Sequence, residues 1–157
     1  PGATISSGAT VCPSGTQPSL GTLSVTAAGT AYTLTTTPAL LDFGTTDPSL
    51  TITSPGTYLL FARVHVIYVG ATFASRRTVT IKIRRTNNTA ADIEDDTFDT
   101  QIITTQTFIA GTVHIVAFLY TTANSNDTLE LWGDVSVLPS AGSIETDEAS
   151  LLALKLS

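Results

Sequence analysis

The hydrophobic positions of this chain recur with period two, and no segment carries a sustained helical period. Two kinds of β segment follow from the pattern. In the first, apolar and polar residues alternate, as on a strand with one buried face. Leu50-Thr51-Ile52-Thr53 reads this way. So does Thr78–Arg84, with Val79, Ile81 and Ile83 on one side and Thr80, Lys82 and Arg84 on the other. Ile102–Phe108 is a modest member. Leu129, Leu131, Val135 and Val137 form another, interrupted at Gly133, where a bulge or bend is expected. In the second kind both faces are apolar. These segments are Thr57–Val69, Thr112–Tyr120 and Ser150–Leu156. Shorter β segments are expected at Leu23–Thr26 and Tyr32–Thr36. Turn chemistry separates the runs at Asp47-Pro48, Ser54-Pro55-Gly56-Thr57, Asn87-Asn88 and Asn124-Ser125-Asn126-Asp127. Ala91–Thr100 and Glu145–Glu148 read as acidic loops.

About eight to ten short strands with turn signals between them predict an all-β, two-sheet antiparallel jelly-roll sandwich. Lettered in order from A, the two-faced runs become strands C, F and H. The one-faced runs at 50–53, 78–84, 102–108 and 129–137 become B, D, E and G. Jelly-roll connectivity puts A, H, C and F in one sheet and B, G, D and E in the other. One sheet is therefore apolar on its outer face as well. Soluble monomers avoid so large an apolar patch. A homo-oligomer that buries it around a symmetry axis resolves the conflict.

The 157 residues suit one domain. A chain of this size buries roughly two thirds of its unfolded surface and needs no metal or disulfide to hold a core. Residues 1–22 have turn and linker composition and are expected to form an extended leader, with the sandwich over 23–157. Pro1 in place of an initiator Met suggests a processed product or an excised domain. Charged residues make up 13%, about half the usual share, so Thr and Ser supply the surface polarity. The net charge of −6 argues against a nucleic-acid partner, which needs a basic surface. No apolar run is long enough for a transmembrane helix, so no membrane insertion is expected. The single Cys12 cannot close an intrachain disulfide and is a candidate for an interchain one.

Several stretches resemble the trimeric jelly-roll superfamily of tumour necrosis factor and the complement globular head, in its bacterial or viral (phage) form. Gly56, Tyr58 and Leu60 match its Gly-x-Tyr-x-aliphatic signature, and Phe43 matches its upstream Phe. Asp127-Thr128-Leu129-Glu130-Leu131-Trp132 is similar to its acidic-led strand, and Ala149–Leu154 to its terminal apolar strand. The last strand departs from the family in lacking a Phe-Ser-Gly cluster. The resemblance covers roughly Leu23 to Ser157. It implies a homotrimeric, non-enzymatic head that caps a stalk or fibre, binds receptors, or sits on a spore or virion surface. The interface candidates are Tyr58, Leu60, Val64, His65, His114, Val116, Phe118, Tyr120, Leu152 and Leu154.

Little in the chain points to chemistry. His65 and His114 lie on strands expected to be neighbours, which admits a histidine cluster at the trimer axis serving as a metal site or pH switch, or interface or core histidines with satisfied hydrogen bonds. No His-x-His exists for a cupin-type metal site. Asp92, Glu94, Asp95, Asp96 and Asp99 put five carboxylates in eight positions, a weak calcium candidate without the Gly and terminal Glu of an EF-hand loop. No Gly-x-Ser-x-Gly elbow or phosphate-binding Gly loop occurs. No cofactor is expected. The sequons Asn87-Asn88-Thr89 and Asn126-Asp127-Thr128 are read as turns.

The expectation is a trimeric surface head on a virion, fibre or bacterial cell or spore, acting in assembly and attachment to a glycan or protein receptor. Recognition would fall to loops 70–77, 86–100 and 139–148. An extracellular filament subunit, assembled when the leader adds a strand to the next copy, is the first alternative. A carbohydrate-binding module using Trp132 is the second.

Overall fold

The computed structural model describes residues 22–44, 46–72, 78–99 and 110–156. They form nine strands: β1 (Thr22–Thr33), β2 (Ala39–Leu40), β3 (Ser49–Ile52), β4 (Gly56–Thr72), β5 (Thr78–Arg85), β6 (Ala91–Asp99), β7 (Ala110–Thr122), β8 (Asp127–Val135) and β9 (Ala141–Lys155). No helix long and apolar enough to cross a membrane occurs among the described residues.

Two antiparallel sheets stack face to face. The first has the order β1-β9-β4-β7. The second has the order β2-β8-β5-β6, with β3 also pairing with β8. The first sheet has the A-H-C-F order expected of a jelly roll; in the second, β3, β8 and β5 take the B, G and D places, and β6, not the 102–108 segment, stands beside β5. The long β4 is the centre of the first sheet, bonded to β7 on one side and β9 on the other. Its β-branched and aromatic residues suit a long pleated strand with neighbours on both edges.

The core lies between the sheets. Tyr58, Leu60, Ala62, Val64 and Val66 of β4 enter it, with Leu151 and Ala153 of β9. Val79, Ile81 and Ile83 of β5 and Leu129, Leu131 and Val135 of β8 meet them from the second sheet. Phe43, Leu41 and Leu34, on the connections flanking β2, close one side. The Tyr58 hydroxyl donates to the Ser54 carbonyl at 2.7 Å, so the ring is buried with its polar end satisfied.

Four expectations need correction. Ala91–Asp99 is a strand on the edge of the second sheet, not an acidic loop. Its carboxylates masked the β signal, because an edge strand tolerates charge that a central strand does not. Glu145–Glu148 likewise lies within β9, so only the start of the 139–148 segment is a loop. Gly133 marks neither a bulge nor a bend: its register with Ile81 is regular. A Cβ there would come within 2.9 Å of both Leu34 and Leu41, so its missing side chain leaves room for theirs. The two N-terminal segments are one strand, β1, whose register shifts between Ala28 and Tyr32. The expected strand at 102–108 lies outside the described residues.

Candidate functional site

Antiparallel register assigns every residue of the first sheet to a face. On β4, Tyr58, Leu60, Ala62 and Val64 point inward and are buried. Leu59, Phe61, Arg63 and His65 have the opposite parity and face outward. Leu59 stands between Leu119 of β7 and Leu154 of β9, and Phe61 between Ala117 and Leu152. These two rows make an apolar sector on the outer face. It is most open on β7, which among the described residues has β4 as its only sheet neighbour. Leu119 is 63% exposed, Ile115 65% and Val113 48%. Three such side chains on alternate positions of one strand are unusual for an isolated soluble surface.

The outer face turns ionic towards the other end. A β-bulge sits in β9, where His65 pairs with Glu148 and Val66 with Thr146, leaving Asp147 as the extra residue. Parity therefore changes along β9. Thr146 and Ala149 are both buried, and the two carboxylates between them reach the side chains of β4. Glu148 pairs with Arg63, and Asp147 Oδ1 lies 2.6 Å from His65 Nδ1.

The structure divides the expected interface residues. Tyr58, Leu60, Val64 and Tyr120 are core residues, no more than 5% exposed within a single chain. They cannot carry an outer interface, because their parity points between the sheets. Val116 and Phe118 share that inward parity and pack against the core. His65, Leu152 and Leu154 take the outer parity. His114 pairs in register with Val64, whereas His65 pairs with Val113, so the two histidines are one residue out of phase on neighbouring strands. Sequence reasoning missed Leu59, Phe61, Val113, Ile115 and Leu119. The signal was available in Arg63 and His65: charged and titratable side chains seldom enter a core, so their parity marks the outward face.

At the end of the sandwich, Asp127 is fully buried at the start of β8. Its Oδ2 accepts from Tyr120 at 2.6 Å and from Thr122, and its Oδ1 accepts from Asn88 and Asn124. Burial pushes the carboxyl up, but the bonds from Thr122, Tyr120 and Asn88 and the Arg85 charge outweigh it and hold the group below its ordinary range. Burial, then the bond to Asp127, pushes the Tyr120 phenol up. Every partner of this carboxylate is a donor, so the arrangement is a structural node that ties the turns at 87–88 and 123–126 together. Asn87 joins it by donating to the Asn126 carbonyl and accepting from the Thr128 amide. Asn87 and Asn126, the acceptor positions of the two sequons, thus sit on turns, while Asp127 and Thr128 already belong to β8.

Trp132 lies on the second sheet. Its indole donates to Glu130 at 3.0 Å, and the Arg84 guanidinium stacks 4.6 Å from the ring centre. A stacking sugar would compete with that guanidinium. The Asp92, Glu94, Asp95, Asp96 and Asp99 positions all fall within β6. No cluster of three metal-ligating side chains occurs among the described residues. Cys12 lies outside them.

No family model matches the chain, and no curated protein matches it. Among solved structures, the globular domain of the zebrafish complement 1qA protein is similar over 88% of this chain and 98% of its own, at 11% identity and a TM-score of 0.50. The Eiger tumour necrosis factor of S. frugiperda is similar over 86% of each chain, at 14% identity and a TM-score of 0.48. At 11% identity the first likeness speaks for the fold alone, and that fold is the jelly-roll sandwich of the complement globular domain.

Proposed function

We propose that this chain is a non-enzymatic head domain that assembles as a homotrimer through the outer face of the β1-β9-β4-β7 sheet. The trimer stands on an extracellular surface, that of a virion, a fibre or a bacterial cell or spore, and serves in assembly and attachment. The observation that carries the reading is the apolar sector of Leu59, Phe61 and Leu119, continued by Ile115 and Val113. A second copy is the occupant that fits. It presents the same apolar and ionic sectors, and a symmetric contact meets like patch with like patch or rotates one onto the next. The low charge and the sequence resemblance to trimeric heads support the same conclusion. A glycan or protein receptor would be met by surfaces left free in the trimer. The 86–90 and 136–140 connections are the described candidates.

The test is the mass of the intact chain in solution at micromolar concentration by light scattering or sedimentation. A closed trimer is expected, and a monomer would sink the reading. One observation favours a filament as the second reading: among the described residues β7 is a 13-residue edge strand paired with β4 alone, and such an edge can accept a further strand. Polymers that vanish when residues 1–22 are deleted would establish that alternative.

A further inference from the structure

We propose that self-association through this face takes up protons, so that copies bind one another more tightly at mildly acidic than at neutral pH, with His65 as the sensor. The inference rests on the proposed assembly and adds its regulation.

The outer face holds its charge at one end. β4 contributes Arg63 and His65, and β9 contributes Glu145, Asp147 and Glu148. The residue across from His65 on β7 is the uncharged Val113. Arg63 is committed to Glu148. That leaves two carboxylates, Glu145 and Asp147, against one imidazole. Asp147 reaches His65 because it is the extra residue of the bulge, so the local backbone of β9 builds the pair. His65 and Asp147 side chains retain 29% and 41% of their exposure in the single chain. Water now solvates the negative excess.

A second copy removes that water and brings the same excess from its own β9 close by. With neutral imidazole, each copy carries an aspartate whose charge is hydrogen-bonded but not neutralised. Like charges then face one another across a drying contact, which opposes association. With imidazolium, Asp147 has a counter-charge 2.6 Å away and the excess falls by one unit per copy. Histidine is the side chain type whose ordinary titration spans pH 5 to 8. Association therefore favours the protonated form, and by linkage a falling pH favours association.

The experiment is sedimentation equilibrium of the full chain at pH 7.5 and 5.5, at fixed salt, for the native protein, His65→Gln and His114→Gln. Circular dichroism at both pH values checks that each variant is folded. Gln keeps a donor towards Asp147 without a titrating group. The expected result is association about tenfold tighter at pH 5.5 in the native protein and in His114→Gln, a change equivalent to one unit of proton affinity. In His65→Gln the difference should disappear. Association that ignores pH, weakens in acid, or keeps its pH dependence in His65→Gln overturns the proposal and leaves the assembly standing. A monomer at both pH values overturns both.

Discussion

Leu59 and Leu119 face each other across the β4–β7 register on the outside of the sandwich, while one residue earlier on β4 Tyr58 opposes Tyr120 on the inside. Leu119 is 63% exposed and Tyr58 1%. A single step along one strand thus separates a core position from a surface one. Leu119→Asp should leave the thermal unfolding midpoint within a few degrees of native and shift the mass to that of a monomer. Tyr58→Asp should remove the fold, because it buries a carboxylate without a partner and discards an aromatic side chain, at a cost of roughly 4 kcal/mol or more. Circular dichroism and light scattering on the two variants distinguish these outcomes.

The Asp127 node predicts a stability that depends on acid. Its carboxyl titrates lower in the folded chain than in the unfolded one. The stabilisation is therefore complete above the ordinary aspartate value, near pH 4, and is lost as pH falls through the folded value. Denaturant melts from pH 6 down to pH 2 should show this loss, and Asp127→Asn should reduce the slope. Asp127→Ala leaves the Tyr120 and Thr122 hydroxyls and the Asn88 amide without their acceptor. It should cost about 3 kcal/mol at pH 7.

Thr146 offers the reverse case. Its side chain is fully buried on β9, and its Oγ1 has no hydrogen-bond partner among the described residues. Thr146→Val replaces that hydroxyl with a methyl of similar size and suits a β-strand equally. An increase in unfolding free energy of about 1 kcal/mol is expected from chemical denaturation. A loss would show that the hydroxyl is paired after all.

Gly142 has a φ of +70°, and a Cβ there would stand 2.3 Å from the Val69 carbonyl and 2.4 Å from Gly70. The obstacle is backbone, which cannot swing aside. Gly142→Ala should cost roughly 2 kcal/mol or more and loosen the pairing of β9 with the end of β4. Hydrogen exchange at Val69–Thr72 should quicken more than exchange at Tyr58–Val64.

Period-two patterning was enough to read the strands of the core, the two-sheet division and the A-H-C-F grouping, because side-chain alternation is a local property of extended backbone. The apolar character of both faces of Thr57–Val69 and Thr112–Tyr120 was likewise visible, and it pointed to a face needing cover. The acidic strand β6 was not visible, since its Asp and Glu residues oppose β propensity, and its extended form comes with pairing to β5. The interface candidates show the same boundary. Sequence alone placed Tyr58 and Leu59 on opposite faces but did not say which face was inside. That choice belongs to the packing of the second sheet, whose Ile81, Ile83, Leu129 and Leu131 meet the Tyr58 side. The Asp147 bulge belongs there too. The strand turns over between Thr146 and Ala149 because its partners on β4 and β1 demand it, and only then do Asp147 and Glu148 reach His65 and Arg63. Alternation is written residue by residue, whereas inside and outside are decided by contacts between residues far apart in the chain.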